Sequence, residues 1–380
     1  MIVKQFRPFV GMEEYEAIKE CFENNWITEG PKAKEFSDRL CELIGCKYGV
    51  FANNGTLSLY VGLKALGIKE GDEVLVPNFT FVASANAVVM AGGVPIFVDV
   101  DEDTMHINLE KCRRLLTKKT KAIMPVHIYG TAVDMDSVMS FAKNHNLKVI
   151  EDAAQAIGVS WNGKHCGTFG DIGSFSFFAD KTITTGEGGF LCTDDKDIYE
   201  KLLYLRNQGR INRGSFIHPE IGFNFRITDI QAAIGIAQIK KLDLIIQKKK
   251  NILSMYKKYL EGVSGLKIIE PPKESSHVPF RVAILFNKKA ADIMNYLNSK
   301  DIETRTFFYP LHSQPCFVEI MKKQYCAPCV ETFGLKCEMT CFDKSQKLYD
   351  HGVCMPSYPE LKEEEIKYIC DCIKELHCEK

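Results

Sequence analysis

Short apolar runs alternate with helical patterns through the first half of the chain. Runs at Glu73 to Val76, Val94 to Val98, Ala122 to Val126 and Lys148 to Ile150 have the length and β-branched content of buried strands. Between them, apolar residues recur at helical spacing over Leu57 to Leu66, Val82 to Ala91, Leu109 to Leu116 and Met135 to His145. A strand covered on both faces reads as a continuous apolar run, so this alternation predicts an α/β fold with a mostly parallel sheet and helices on both faces. Ligands bind such sheets beyond the carboxyl ends of the strands. Loops beginning at Asn54, Asn78, His127 and Asp152 are therefore expected to converge on a site. A long helical stretch from Asp229 to about Leu260 leads to a strand at Val278 to Phe286, a helix at Ala290 to Lys300 and a last helix at Glu363 to His377. The expected division is a large domain over residues 1–250 and a smaller C-terminal α+β domain over 251–380, carrying a Cys-rich loop at 326–354.

Composition narrows the function classes. With 48 Lys and Arg against 49 Asp and Glu, the net charge of −1 offers nothing to attract a nucleic acid. No apolar run approaches membrane length, and Met1 to Phe6 is too short and polar for a signal peptide, so no membrane partner and a cytoplasmic location are expected. Fifteen cysteines are then reduced thiols, many of them core residues such as Cys192. Cys326 and Cys329, followed after seven residues by Cys337 and Cys341, have the number and spacing for a zinc site. Reduced thiols in a variable surface loop are the plainer alternative.

The chemistry centres on Lys181, in the run Asp180-Lys181-Thr182-Ile183-Thr184-Thr185-Gly186-Glu187-Gly188-Gly189. Asp152 lies about thirty residues earlier, where an apolar strand ends. Pyridoxal 5'-phosphate needs such a pair: the amine forms a Schiff base and the acid keeps the pyridine nitrogen protonated. Singly, each has a plain alternative, since most lysines are solvated and an Asp before Ala-Ala-Gln often caps a helix. Asn54-Gly55-Thr56-Leu57 opens a helix whose N–H groups and Thr56 hydroxyl suit a phosphate, although an ordinary helix start reads the same way. Two other glycine motifs fail: Gly158 to His165 ends in His where a P-loop needs a hydroxyl, and Gly167-x-x-Gly170-x-x-Gly173 lacks the dinucleotide spacing.

Taken together, Glu151-Asp152-Ala153-Ala154-Gln155, Gly173-Ser174-Phe175-Ser176-Phe177 and Lys181 to Gly189 resemble the sugar aminotransferases of the DegT/DnrJ/EryC1/StrS group. The resemblance extends from Trp26-Ile27-Thr28-Glu29-Gly30-Pro31 to Pro356-Ser357-Tyr358-Pro359. It implies a fold-type I transferase dependent on pyridoxal phosphate, with Lys181 and Asp152 catalytic. Gly55, Thr56 and Leu57 would meet the phosphate together with Ser176, and Asn224 would reach it from the partner subunit of a homodimer with shared sites. Phe81 would stack on the pyridine face, and Gln155 would lie near the ring oxygen. Trp26, Arg226, Tyr309 and His312 would bind the substrate, with Glu303 to Arg305 and Phe308 to His312 resembling the segment that closes over it. The implied reaction carries an amino group from glutamate to carbon 4 of a nucleotide-linked 4-keto-6-deoxy sugar.

Phe81 as a core ring, Ser176 as a strand serine, Asn224 as a turn residue and His312 as a structural hydrogen-bonder remain open. In the related sugar dehydratases histidine replaces the lysine, so Lys181 argues against that branch. A non-catalytic nucleotide-sugar or zinc-binding protein is disfavoured by the joint presence of Lys181, Asp152, Thr56 and Ser176. Asp180 departs from the asparagine of similar members, and its charge is expected to affect the Lys181 amine or the sugar contacts.

Overall fold

The structure, a computed structural model, describes residues 2–210, 216–324 and 342–378. Its main sheet contains β1 (Tyr48–Ala52), β2 (Glu73–Pro77), β3 (Val94–Val98), β4 (Thr120–Ile123), β5 (Lys148–Asp152), β8 (Ile172–Ser176) and β9 (Gly189–Thr193). A short hairpin, β6 (Ser160–Trp161) with β7 (Lys164–His165), follows β5. The spatial order is β1-β9-β8-β5-β4-β2-β3. The pairs from β3 across to β8 are parallel, while β8 with β9 and β9 with β1 are antiparallel.

The two-residue period of the strands explains why helices lie on both faces. Leu75, Ile123 and Val149 point into one core with Phe36 and Leu40 of helix Pro31–Ile44 and Val138 of helix Met135–His145. Their neighbours Val74, Val76, Ala122 and Ile150 point into a second core with Leu59 and Leu63 of helix Gly55–Ala65 and Val88 of helix Ala83–Met90. Polar caps fix where these helices begin: Asn54 Oδ1 accepts the Leu57 N–H at 3.0 Å, and Asp134 Oδ1 that of Ser137 at 3.0 Å. Asp229 performs the same service at a distance, its carboxylate accepting the N–H groups of Gly30, Lys32 and Ala33 at the start of helix Pro31–Ile44.

A second sheet, β10 (Leu266–Ile268), β11 (Val282–Phe286), β12 (Arg305–Thr306) and β13 (Gly352–Met355), is antiparallel in the order β10-β11-β13-β12. The helical stretch leading to it breaks at Lys241 into helices Asp229–Lys240 and Leu242–Tyr259. The expected division at residue 250 falls inside the latter, whose Leu242 and Ile245 join the main core and whose Ile252, Leu253 and Tyr256 join the core of the second sheet. The N-terminal segment also reaches that sheet. Val3 belongs to its core and forms hydrogen bonds of 2.9 Å with the backbone of Asp301 and of Glu303.

Two expected strands are shorter than their apolar runs. β4 ends at Ile123, two residues before Pro125, which has no N–H to donate, and Val126 keeps only a single bridge to Asp152. Residues 278 to 280 precede β11 and donate to the main unit instead, Val278 N–H to Gly130 O at 3.3 Å and Phe280 N–H to Tyr129 O at 3.1 Å. Among the described residues no helix is long and apolar enough to cross a membrane.

The glycine run Gly167 to Gly173 has a packing function. Glu151, fully buried, accepts the N–H groups of Gly167 at 2.6 Å and of Phe169 and Gly170 at 2.7 Å. His127 completes the shell: its Nδ1 accepts the Val133 N–H, so the proton sits on Nε2, 3.0 Å from Glu151.

Candidate active site

A cavity of about 520 Å³ lies beyond the carboxyl ends of the parallel strands, where the loops after β1, β2, β4 and β5 meet. Asp152, the last residue of β5, sits in its wall at 6% exposure. Oδ2 accepts the Ser84 hydroxyl at 2.7 Å and Oδ1 the Ala154 N–H at 3.2 Å. Burial pushes the Asp152 carboxyl upward, while these hydrogen bonds and the nearby Lys181 charge oppose that shift.

Lys181 faces the same cavity from a turn held on several sides. Its N–H donates to Phe178 O at 3.0 Å, Thr184 Oγ1 donates to Phe177 O at 3.0 Å, and Thr185 Oγ1 donates to Glu187 O at 2.7 Å. Gly186 closes the turn at φ 80°, a left-handed conformation that favours glycine. The Lys181 amine lies 4.7 Å from the Phe280 ring centroid. Burial lowers its pKa, Arg281 adds to the effect, and the charges of Asp180 and Asp152 work against it. A depressed amine is the more nucleophilic one.

Asp180 is not a bare charge. Its Oδ2 pairs with the buried Arg281 at 2.5 Å and lies 3.7 Å from Arg305, so the negative charge next to Lys181 is compensated on the spot.

The start of helix Gly55–Ala65 and the end of β8 also line the cavity. Gly55 and Ser176 press together so closely that a Cβ on residue 55 would lie 2.8 Å from the Ser176 Cβ. The N–H groups at this helix start and the hydroxyls of Thr56 and Ser176 suit a phosphate. Leu57 is absent from the lining: its N–H is taken by Asn54 and its side chain packs on the second core. Phe81, 55% exposed, lines the cavity, and Gln155 is buried there with Oε1 accepting the Tyr129 N–H at 2.7 Å.

The residues expected at the substrate are dispersed in the single chain. Trp26 and Arg226 line a separate cavity of about 1020 Å³ together with Arg206 and Arg210. Asn224 is exposed, its Oδ1 accepting Arg226 Nε at 2.8 Å, and it lines neither cavity. Tyr309, 40% exposed, lines a recess that shares Phe81, Arg305 and Phe308 with the main cavity. His312 has both ring nitrogens engaged, Nδ1 accepting from Asn78 Nδ2 at 2.9 Å and Nε2 lying 3.0 Å from Ser313 Oγ; burial pushes its pKa down to about 4. Cys326, Cys329, Cys337 and Cys341 lie outside the described residues. Among those described, no group of three ligating side chains could hold a metal.

Residues 8–374 match the DegT/DnrJ/EryC1/StrS aminotransferase family. The chain belongs to that family. This sugar aminotransferase is 39% identical over 378 residues to a GDP-perosamine synthase of Escherichia coli O157:H7, covering 99% of this chain and 98% of that protein. A GDP-perosamine synthase of Vibrio cholerae is 35% identical, with 98% of each chain covered. The crystal structure of an aminotransferase of the family from Brucella abortus superposes with a TM-score of 0.87 at 28% identity, covering 97% of this chain and 96% of that one. The cofactor of the aminotransferase is pyridoxal 5'-phosphate, and the cavity fits it: its lining brings together a buried carboxylate, a desolvated amine and a helix start with two hydroxyls.

Sequence patterns did not single out Ser84, Tyr129 or Arg281. For Arg281 a signal existed, a lone cation inside the apolar run Val278 to Phe286. Tyr129 adopts φ 51° next to Gly130 at φ 82°, a backbone departure with no mark in residue type.

Proposed function

We propose that the aminotransferase moves an amino group from glutamate to carbon 4 of a nucleotide-linked 4-keto-6-deoxy sugar, yielding a 4-amino sugar of the perosamine or viosamine kind. The observation that carries this reading is the meeting of Lys181 and Asp152 in one cavity; the likeness to GDP-perosamine synthases supports the sugar class. Lys181 is also the feature that favours transamination over dehydration.

Bound pyridoxal phosphate supplies an electron sink for the carbon that loses its proton. Lys181 Nζ would hold the cofactor and, as general base and then acid, would take the proton from the donor's amine-bearing carbon and return it two atoms away, on the cofactor side of the nitrogen. Asp152, oriented by the Ser84 hydroxyl, would keep the pyridine nitrogen protonated. Gly55, Thr56 and Ser176 would hold the cofactor's phosphate, and Phe81 and Gln155, which line the same cavity, would meet its ring. Asn224 would supply a further phosphate contact from the partner in a two-fold homodimer, and Trp26, Arg226, Tyr309 and His312 would serve the sugar nucleotide.

The protein should purify yellow, lose its colour on addition of glutamate and regain it with the right keto sugar. Offering GDP-, UDP- and dTDP-linked 4-keto sugars in turn, with mass and NMR analysis of the product, tests the assignment. Amination at carbon 3, or no product from any of the three, would overturn it.

A further inference from the structure

Six charged side chains line the cavity: Asp152, Asp180, Glu187, Lys181, Arg281 and Arg305. The three cations are unlike one another. Lys181 is the reactive amine, and Arg281, only 7% exposed, is committed to Asp180 at 2.5 Å. Arg305 sits on β12, the edge strand of the second sheet, with its side chain 52% exposed. Among the described residues its one ionic contact is the 3.7 Å approach to Asp180, too long for a hydrogen bond, and its guanidinium lies 5.2 Å from the Phe6 ring centroid. Among the described residues of the lining it is the cation whose N–H groups are open to a ligand.

We infer that Arg305 binds the carboxylate of the amino-acid donor, with Asp180 as its resting counter-ion. The inference rests on the transamination reading above. Two substrates alternate in one site, and they carry their charge in different places. The donor has a carboxylate on the very carbon that reacts, whereas the diphosphate of a 4-keto sugar leaves from carbon 1, across the ring. Asp180 directly precedes Lys181, so a cation held beside Asp180 stands next to the reacting amine. When the donor enters, its carboxylate replaces Asp180 at Arg305, and Asp180 keeps its bond to Arg281. When the sugar enters, with no charge at its reacting carbon, Arg305 falls back on Asp180 and no bare cation faces the ketone. An edge position, half exposure and a loose ion pair permit that exchange; the buried Arg281 does not share in it.

The test uses the holoenzyme and each half-reaction separately, with Arg305→Ala beside the wild type. Because Arg305 is half exposed, the substitution removes no core packing. The glutamate concentration for half-maximal decolourisation should rise about 10- to 100-fold, as expected for a lost hydrogen bond to a charged group. Decolourisation by butylamine, a donor without a carboxylate, should be unchanged, and reaction of the aminated enzyme with the keto sugar should change by under about threefold. Glutarate, which has two carboxylates and no amine, should bind the wild-type holoenzyme in a calorimetric titration and bind the variant more weakly by the same factor as glutamate. Equal losses with glutamate and butylamine, or a loss confined to the sugar half-reaction, would overturn the assignment of Arg305. A wild-type enzyme that no amino acid decolourises would overturn the transamination reading itself, and the role of Arg305 with it.

Discussion

Gly55→Ala should selectively remove the contribution of the cofactor's phosphate to binding. The added methyl would lie 2.8 Å from the Ser176 Cβ, 3.2 Å from its Oγ and 3.6 Å from its Cα. Two of those atoms belong to or adjoin the backbone and cannot swing aside. The helix cannot retreat either. Ser58 Oγ lies 2.7 Å from Ser174 Oγ, and β9 is so close behind that a Cβ on Gly189 would meet Asn54 O at 2.2 Å. Relief must come from spreading the start of helix Gly55–Ala65 away from Ser176, which separates the donors proposed for the phosphate. Overpacking of a fixed site costs about 1–3 kcal/mol, equivalent to an affinity loss of about 5- to 150-fold. The assay is a titration of the apoenzyme with pyridoxal phosphate and, separately, with pyridoxal, which has the same ring and no phosphate. The variant should bind pyridoxal nearly as the wild type does and lose most of the preference for pyridoxal phosphate. Unchanged affinity for pyridoxal phosphate, or equal losses for both compounds, would refute the placement of the phosphate between Gly55 and Ser176.

Lys181→Ala should leave the unfolding midpoint within a few degrees of wild type, yet abolish decolourisation by glutamate; turnover near the wild-type rate would sink the assigned role. A Lys181→Ala chain and an Asn224→Asp chain should each be nearly inactive as homodimers, while random mixing of the two should restore up to about a quarter of all sites if Asn224 serves its neighbour; hybrids that form and stay inactive would place Asn224 in its own subunit. Acid should unfold the protein early, because burial lowers the folded pKa of His106 to about 3 and those of His165, His277 and His312 to about 4. These groups are depressed in the folded state, so their stabilisation is complete above the unfolded value near 6.5 and is lost as pH falls toward 4, with a slope of up to about 5 kcal/mol per pH unit near pH 5. Urea unfolding midpoints that stay level from pH 7 to pH 5 would contradict this.

The central sheet was legible because strands buried on both faces carry their signal in every residue. Val94–Val98 begins and ends where the apolar run does, and helix Met135–His145 matches its pattern to the residue. β1 was less visible: Tyr48-Gly49-Val50-Phe51-Ala52 is short, holds a glycine and lies at the sheet edge, where one flank has no strand to demand a pattern. At the site, Asp152 was legible because it ends an apolar strand and Lys181 because it lies in a glycine-flanked run, while Ser176 came only from the family resemblance. Arg281 and Arg305 were not legible as neighbours of Lys181, since they arrive just before and within the second sheet, a hundred or more residues away in sequence, and no local pattern encodes how that sheet docks. The same separation hid the partner of Asp180: its charge opposes the lowering of the Lys181 pKa, as a charge next to the amine should, and it is also paired with Arg281.

The pairing of the N-terminal segment with the second sheet sets an order of assembly in time. Lys4 bonds to Glu303 across 299 residues, with Val3 joined to Asp301 and Glu303 beside it. At ordinary rates of synthesis of about 5–20 residues per second, roughly 15–60 s pass between the emergence of one partner and that of the other. Phe6, whose ring lies 5.9 Å from the Arg281 guanidinium and 5.2 Å from that of Arg305, waits through the same interval. The main sheet, with Asp152 and Lys181 already in place, can close while the arginine side of the cavity is still unmade. Affinity for the cofactor should therefore arise on the ribosome before affinity for either substrate, and the cofactor itself can act as a ligand that holds the nascent large unit folded until its last wall arrives.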